Sequence, residues 1–201
     1  MRPANQALIV IDVQNDFCPD GALAVAQGDA IIPQINALMG QFQTVVLTQD
    51  WHPVDHSSFA ANHAGAAPFS TVQMPYGAQT LWPSHCVQGT KGAEFHPALR
   101  SDTAQLILRK GFRAGIDSYS ALFENDKITP TGLDGYLRAR GITGLTLVGI
   151  ATDYCVAFSA LDAVAQGFDV TVLQDACRAI DLDGSLARQQ QAMAAAGVVL
   201  A

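Results

Sequence analysis

A cysteine at the end of an apolar run is the first residue of the sequence that could do covalent chemistry. Cys155 follows the run 145–150 after a short segment, and a helix-like stretch, 156–166, begins directly after it. Thr152 or Asp153 would cap that helix. A thiol in its first turn would feel the positive end of the helix dipole, which favours the thiolate. Cys155 is therefore a candidate nucleophile, although a free cysteine is also an ordinary small core residue.

Two more ionisable residues follow strand-like runs in the same way. Asp12 comes directly after the run 7–11, and Lys110 comes shortly after the run 106–108. The lysine charge would lower the pKa of a nearby thiol. The carboxylate could accept the thiol proton and later deliver a proton to a leaving amine. Together with Cys155, these residues form a possible catalytic set. Taken singly, an aspartate after a strand commonly caps the next helix, and a lysine at a strand end is usually solvated.

Carboxylate and imidazole groups cluster after another strand-like run and in the segment that follows it. Asp50 and His52 are two positions apart, so in extended backbone both side chains project to one face. His56, His63 and His85 follow. One carboxylate with two or three imidazoles suits zinc, manganese or iron. The spacing alone is equally compatible with loop histidines that bind no ion.

An alternation of strand-like and helix-like segments must position these side chains. Apolar runs predict strands at 7–11, 44–48, 106–108, 145–148, 170–173 and 198–200, and helix-like stretches lie at 29–39, 133–140, 156–166 and 186–196. Continuous apolar strands are typical of a sheet buried on both faces. The alternation predicts an α/β fold in which a six-stranded, mostly parallel sheet carries helices on both sides. Ligands bind beyond the carboxyl ends of such strands, where the polar residues described above would meet.

The segment 50–94 interrupts this alternation. It contains prolines, glycines, both tryptophans and four histidines. An irregular segment of this length inside a compact domain is usually functional, although its aromatic side chains could serve only to pack loops. We expect one domain, 1–201, in which this segment is an insertion that carries the metal site.

Composition excludes several classes of protein. The chain has 201 residues, of which 49% are hydrophobic and 14% charged, and this is typical of one globular core. A net charge of -7 without a Lys/Arg run argues against nucleic-acid and anionic-membrane partners. We expect no membrane span, no signal peptide and no glycine-rich phosphate loop. Four cysteines without a C-x-x-C pair predict reduced thiols and a cytoplasmic location, and the oligomeric state stays open.

Several motifs, in order along nearly the whole chain, resemble the nicotinamidase and pyrazinamidase branch of the isochorismatase-like cysteine hydrolases. The matching segments are IDVQNDFC at 11–18, QDWHP at 49–53, WPSHCVQGT at 82–90, KG at 110–111, DSYSALF at 117–123 and ATDYCV at 151–156. The second and third motifs together are specific to this branch. The Asp/Lys/Cys set alone would indicate only the wider superfamily.

The resemblance implies a three-layer α/β/α, Rossmann-like fold and an amidohydrolase that acts on a carboxamide C–N bond. The implied reaction converts nicotinamide to nicotinate and ammonia through a cysteine thioester, and pyrazinamide is an open second substrate. One rival is a sister amidase that acts on a carbamoyl or ureido compound, but those relatives lack such a metal cluster. Another rival is a non-catalytic metal- or thiol-binding protein on the same scaffold, which the complete catalytic set argues against.

Catalytic roles carry over position by position from the family. The resemblance implies a triad of Asp12, Lys110 and Cys155. It implies an oxyanion hole formed by the backbone N–H groups of Ala151 and Cys155, with a non-proline cis peptide that joins Ile150 to Ala151.

The family also implies the metal and substrate residues. A divalent ion, zinc in the first place with iron or manganese as alternatives, would bind Asp50, His52 and His85. His56 is a further candidate ligand, and His63 is not. The pyridine ring would lie between Phe17 and Trp82, with Tyr119 and Tyr154 as further lining. Cys18 and Cys86 fall inside matched motifs and have no expected role beyond packing.

Overall fold

The computed structural model describes residues 2–201, and its centre is a six-stranded sheet. The sheet strands are β1 (Gln6–Ile11), β2 (Thr44–Asp50), β5 (Leu106–Lys110), β6 (Gly144–Ile150), β7 (Asp169–Arg178) and β8 (Val199–Leu200). Their order is β5-β2-β1-β6-β7-β8, and every neighbouring pair is parallel. A separate antiparallel hairpin consists of β3 (Thr71–Met74) and β4 (Gly77–Thr80). The predicted α/β fold with a six-stranded parallel sheet is confirmed.

Helices connect the strands. They are α1 (Ile32–Met39), α2 (Leu133–Ala139), α3 (Ala157–Ala165) and α4 (Ser185–Ala195). The first begins later than the predicted 29, and Pro33 lies in its first turn, where the missing N–H costs no hydrogen bond. The second ends just before Gly141, whose φ of 68° is the left-handed conformation that commonly follows a helix.

Side chains of β1 alternate between two apolar clusters, one on each face of the sheet. Ala7, Ile9 and Ile11 pack with buried residues of α2, α3 and α4. Leu8 and Val10 pack with buried residues of α1. This period of two places helices on both sides of the sheet and gives the three layers that the sequence predicts.

Strand pairing brings the polar segments of the sequence to one edge of the sheet. Asp50 of β2 is the register partner of Lys110 of β5, and Ile11 of β1 is the partner of Gly149 of β6. The chains must approach closely at the second pair, because a Cβ on Gly149 would lie 2.1 Å from the carbonyl oxygen of Ile11. Only glycine fits there, and its φ of 120° also favours glycine. The segments that contain Asp12 and Cys155 therefore leave the sheet side by side.

Two features differ from the sequence-based expectation. The hairpin of β3 and β4 lies inside the segment 50–94 and was not predicted, and β7 continues to Arg178 rather than ending at 173. Among residues 2–201, no helix combines the length and the apolar character that crossing a bilayer requires.

Candidate active site

The structure brings Asp12, Lys110 and Cys155 together at the carboxyl ends of the strands. Lys110 Nζ lies 2.9 Å from Asp12 Oδ2 and 3.4 Å from Cys155 Sγ. It also donates a hydrogen bond of 2.9 Å to the carbonyl oxygen of Ser118. All three ionisable side chains are buried. A thiol, an acid and an amine in mutual contact can perform nucleophilic acyl transfer.

Asp12 can change its protonation state near neutral pH. Burial raises its pKa to about 6, even though Lys110 and a hydrogen bond from Thr48 lower it. The hydroxyl of Thr48 donates to Asp12 Oδ1 at 2.6 Å, and the backbone N–H of Asp12 donates back to Thr48 Oγ1 at 3.2 Å. A carboxyl group with this pKa is suited to general acid–base work.

The sequence predicts that the charge of Lys110 lowers the pKa of Cys155, and in the structure it does, but other groups oppose it. Burial and the carboxylates of Asp12 and Asp50 raise the pKa of the Cys155 thiol well above its usual range, although Lys110 lowers it. The sulfur therefore rests as a thiol and needs a base. A carboxylate oxygen of Asp12 lies within 4.8 Å of Cys155 Sγ, so Asp12 is close enough to act as that base.

The turn that carries Cys155 is not capped as the sequence predicts. Thr152–Val156 form a π-helical turn before α3, and no side chain caps its start at Ala151. The carboxylate of Asp153 instead accepts hydrogen bonds from the backbone N–H groups of Ile180 and Asp181. Asp153 thus ties the nucleophile turn to the segment after β7.

The peptide bond between Ile150 and Ala151 is cis, as the resemblance implies. Ala151 and Cys155 both line the cleft described below. Their roles in an oxyanion hole stay predictions.

Asp50, His52 and His85 form a compact set of metal-ligand atoms. Asp50 Oδ2 lies 3.6 Å from His52 Nε2 and 4.0 Å from His85 Nε2. Ligand atoms around a tetrahedral zinc ion with bonds of 2.0–2.1 Å are about 3.3 Å apart, so only a small contraction is needed. The Nδ1 atoms face backbone carbonyl oxygens, of Gly111 for His52 and of Pro83 for His85, each at 2.8 Å. Such bonds leave Nε2 of each imidazole free for an ion, and the three residues fit a divalent metal.

The pKa values of His85 and His52 are shifted in opposite directions. Burial and the neighbouring His52 lower the pKa of His85 to about 4, so its ring is neutral at pH 7, as a ligand must be. Burial opposes protonation of His52 as well, but the carboxylate of Asp50 raises its pKa. A bound metal would compete with a proton for the Nε2 atom of His52.

The other two histidines of the segment are engaged elsewhere. His56 Nδ1 lies 2.7 Å from Ser58 Oγ, and His56 Nε2 lies 3.2 Å from the carbonyl oxygen of Ile116. His56 groups with His52 and Asp117 rather than with the Asp50 set, and its role as a ligand stays a prediction. His63 Nε2 lies 2.7 Å from the carbonyl oxygen of Ser57, which agrees with leaving His63 out.

A cleft of about 330 Å³, counting its open mouth, adjoins both sets of residues. Aromatic side chains dominate its wall: the ring centroid of Trp82 lies 4.8 Å from that of Tyr154, and Phe17 lies 5.4 Å from His85. The lining residues are Phe17, Leu23, Asp50, His52, Trp82, His85, Asp117, Tyr119, Ala151, Tyr154, Cys155 and Ile180. Apolar walls with a few convergent polar groups are typical of a small-molecule site.

Three lining residues were not predicted, namely Leu23, Asp117 and Ile180. Asp117 precedes Tyr119 in the DSYSALF motif, so the motif contained a signal that was not used. The two aliphatic residues gave no signal, because nothing in the sequence separates them from core positions. Cys18 and Cys86 are buried free thiols outside the cleft, in agreement with packing roles.

Comparisons with known proteins identify relatives over the whole chain. The family model of the isochorismatase domain matches residues 6–201. A nicotinamidase of Acinetobacter baylyi is 60% identical over 199 residues, which cover 98% of this chain and 93% of the relative. A solved nicotinamidase and pyrazinamidase of Acinetobacter baumanii is 61% identical with a TM-score of 0.99, and the match covers 100% of this chain and 97% of that one.

Two further solved structures contain bound species. An L. infantum protein in complex with nicotinate is 37% identical with a TM-score of 0.87, covering 99% of this chain and 93% of that one. The pyrazinamidase of Pyrococcus horikoshii in complex with zinc is 36% identical with a TM-score of 0.79, covering 98% of both chains.

Proposed function

The chain belongs to the isochorismatase family, and we propose that its cleft is a nicotinamidase active site that hydrolyses nicotinamide to nicotinate and ammonia. One observation supports this most directly: Lys110 Nζ contacts both Cys155 Sγ and Asp12 Oδ2, beside a metal-ligand set on the wall of an aromatic cleft. The nicotinamidase at 60% identity matches 98% of this chain and 93% of its own length and has, on its name, this activity.

Substrate binding would use the aromatic wall and the metal-ligand set together. Phe17 and Trp82 hold the flat ring between them, and Tyr119 and Tyr154 close the side of the cleft. Asp50, His52 and His85 would hold a divalent ion, for which zinc is the first choice, and this ion when bound supplies a Lewis-acidic position that orients the pyridine nitrogen. The carboxamide then faces Cys155.

The covalent steps use the residues of the triad. The carboxylate of Asp12 takes the proton of Cys155, and the sulfur attacks the carboxamide carbon. Backbone N–H groups of Ala151 and Cys155 donate to the developing oxyanion, and one such donor contributes about 3 kcal/mol to lowering the barrier. Asp12 gives its proton to the nitrogen, the C–N bond breaks, and ammonia leaves a thioester on Cys155.

Hydrolysis of the thioester reverses these roles. Asp12 removes a proton from water, the resulting hydroxide attacks the thioester carbon, and nicotinate leaves as Cys155 regains its proton. Lys110 stays charged throughout, because Asp12 and Asp50 outweigh the effect of burial and raise its pKa well above the usual range. Its charge holds both carboxylates in place.

The alternatives are less consistent with the same observations. A sister amidase for carbamoyl or ureido compounds would have no use for the set of Asp50, His52 and His85. A non-catalytic metal- or thiol-binding protein would not need Asp12, Lys110 and Cys155 in contact. We also propose a reducing, cytoplasmic location, because all four cysteines are free.

Ammonia release from nicotinamide tests the proposal directly. Purified protein loaded with zinc should release ammonia and nicotinate in equal amounts, and a chelator should reduce the rate. Absence of ammonia from zinc-loaded, folded protein would overturn the proposed function.

Benzamide tests the part of the proposal that concerns the metal-ligand set. It has the same carboxamide and ring shape as nicotinamide but no ring nitrogen. We expect a much lower kcat/KM for benzamide, and equal values would contradict orientation through the ring nitrogen.

A further inference from the structure

The hairpin of β3 and β4 carries one buried side chain, and that side chain is polar. Gln79 of β4 is 1% exposed, whereas the other residues of both strands are exposed or half-buried. A buried amide needs hydrogen-bond partners, so the partners of Gln79 show which part of the protein the hairpin contacts.

The amide of Gln79 is at the centre of a network on the cleft wall. Its Nε2 lies 2.9 Å from Tyr119 Oη, 2.9 Å from Asp117 Oδ2 and 2.7 Å from the carbonyl oxygen of Thr80. The amide has two hydrogens, so these three acceptors share them. On the other side, Gln79 Oε1 accepts from Asn125 Nδ2 and Tyr76 Oη, both at 3.2 Å.

The direction of every bond in this network follows from its fixed donors and acceptors. The backbone N–H of Tyr119 can only donate, and it donates to Asn125 Oδ1 at 3.0 Å. The other terminal atom of Asn125 is therefore Nδ2, which must donate to Gln79 Oε1. Gln79 Nε2 then faces the carboxylate of Asp117, which accepts.

Tyr119 Oη is the point where the network meets the ring-binding wall. It accepts one bond from Gln79 and a second, at 3.1 Å, from Trp82 Nε1, which can only donate. The Trp82 and Tyr119 rings meet edge to face, at an angle of 79° between their planes. Gln79 itself does not line the cleft, but two of its bonds reach residues that do.

We propose that Gln79 is a positioning residue that fixes Trp82, Tyr119 and Asp117 as the substrate-binding wall, and that it thereby sets the affinity for flat aromatic carboxamides. The proposal rests on the proposed function, since it assigns a role to a residue behind that same cleft. Removal of the amide leaves Tyr119 Oη with one partner and the carboxylate of Asp117 with an unpaired oxygen. The wall then loses its fixed geometry.

The network is separate from the groups that react. None of the hydrogen bonds that Gln79 makes within residues 2–201 reaches Asp12, Lys110 or Cys155. The closest link runs through Asp117, whose Oδ1 accepts from the N–H of Ser118 at 2.8 Å, and the carbonyl oxygen of Ser118 accepts from Lys110. Lys110 is also held by its ion pairs with Asp12 and Asp50, which do not depend on this link. Loss of Gln79 should therefore weaken binding much more than chemistry.

The test compares Gln79→Met with Gln73→Met, which makes the same change at an exposed position of the same hairpin. For Gln79→Met we expect the KM for nicotinamide and the Kd for nicotinate each to rise about tenfold, as loss of a hydrogen bond to a buried charged group predicts. We expect kcat and the rate at which iodoacetamide alkylates Cys155 to stay within about twofold of wild type. Gln73→Met should match wild type in all four quantities.

Wild-type KM and Kd values in Gln79→Met would overturn the proposal, as would an equal fall in kcat and in alkylation of Cys155. If Gln79→Met does not fold, Tyr119→Phe removes the shared oxygen and keeps the ring; it should raise KM without lowering kcat, and an unchanged KM would overturn the proposal. Failure of the proposed function is distinguishable, because it would appear as absence of ammonia release in wild type.

Discussion

Lys110 Nζ lies 2.5 Å from Asp50 Oδ1, so one lysine connects the metal-ligand set to the catalytic set. The same nitrogen lies 2.9 Å from Asp12 Oδ2, and all three side chains are buried. Strand register produces this contact, because Asp50 and Lys110 are direct partners on β2 and β5. One cation thus balances two buried carboxylates, and the charge on either carboxylate affects the other.

Lys110→Met should unfold more easily than wild type. Two buried carboxylates would lose their cation, and breaking a buried ion pair on one side costs about 3–5 kcal/mol in the free energy of unfolding. Urea denaturation of the metal-free protein measures this loss. Lys127→Met is the control, since Lys127 forms a partly exposed pair with Asp162 and its loss should cost less than about 1 kcal/mol. Equal stability of the two variants would contradict the claim that Lys110 balances the charges of Asp12 and Asp50.

Cys155→Ala should abolish ammonia release and leave the fold and nicotinate binding intact, because only the attacking sulfur is lost. Thermal unfolding and calorimetric titration with nicotinate check the fold and the binding. Cys177→Ala removes another buried thiol, one that does not line the cleft, and should keep its turnover. Residual wild-type turnover in Cys155→Ala would remove Cys155 from its proposed role.

Much of the fold could be predicted because its central strands are unbroken apolar runs. β1, β2 and β6 are buried almost throughout, and each was found within two residues of its observed ends. The hairpin of β3 and β4 was missed, because its strands have only four residues each and most of them are exposed or half-buried. Such short strands show no alternation of apolar and polar residues that would distinguish them from a loop. The end of β7 was missed because Gln174 and Asp175 are polar and interrupt the apolar pattern.

The sequence could group the site residues, but it could not show which charged side chains contact one another or how these contacts shift their pKa values. Asp50 and Lys110 each follow a strand, yet their direct contact depends on strand order and register. The raised pKa of the Cys155 thiol likewise depends on burial and on two carboxylates that are distant in sequence. The sequence showed the position of Cys155 at a helix start and the nearby lysine, which lower the pKa of the thiol. It did not show how deeply Cys155 is buried or how close both carboxylates lie to it, and these raise the pKa.

His52→Ala should lose the metal. The variant removes one of three ligand side chains, so we expect zinc affinity to fall by more than the roughly 10–100-fold that loss of an outer-shell partner costs. Zinc content after loading and desalting measures this directly, independently of activity. His63→Ala should retain zinc, because His63 bonds to the carbonyl oxygen of Ser57 instead. Full zinc content in His52→Ala would contradict the ligand assignment.

The pH profile of kcat/KM should report the protonation of Asp12. Its pKa is raised to about 6, so the carboxylate that takes the thiol proton is present above that pH and is lost as the pH falls through it. We expect kcat/KM to decline about tenfold per pH unit below pH 6 with zinc kept saturating. A plateau that continues to about pH 4, the ordinary range of an aspartate, would contradict Asp12 as the base.

Thr48→Val should move that acidic limb to higher pH. The hydroxyl of Thr48 donates to Asp12 Oδ1 at 2.6 Å and lowers the pKa of Asp12, because the bond favours the charged form. Its removal should raise the pKa by about one unit, which corresponds to a hydrogen bond of about 1.5 kcal/mol to a charged group. Thr171→Val is the control, because it makes the same change on β7. Thr171 pairs with Thr146, which pairs with Leu8 rather than with the end of β1, so this variant should leave the acidic limb of the pH profile unchanged. An unshifted limb in folded Thr48→Val would show that the titrating group is not Asp12.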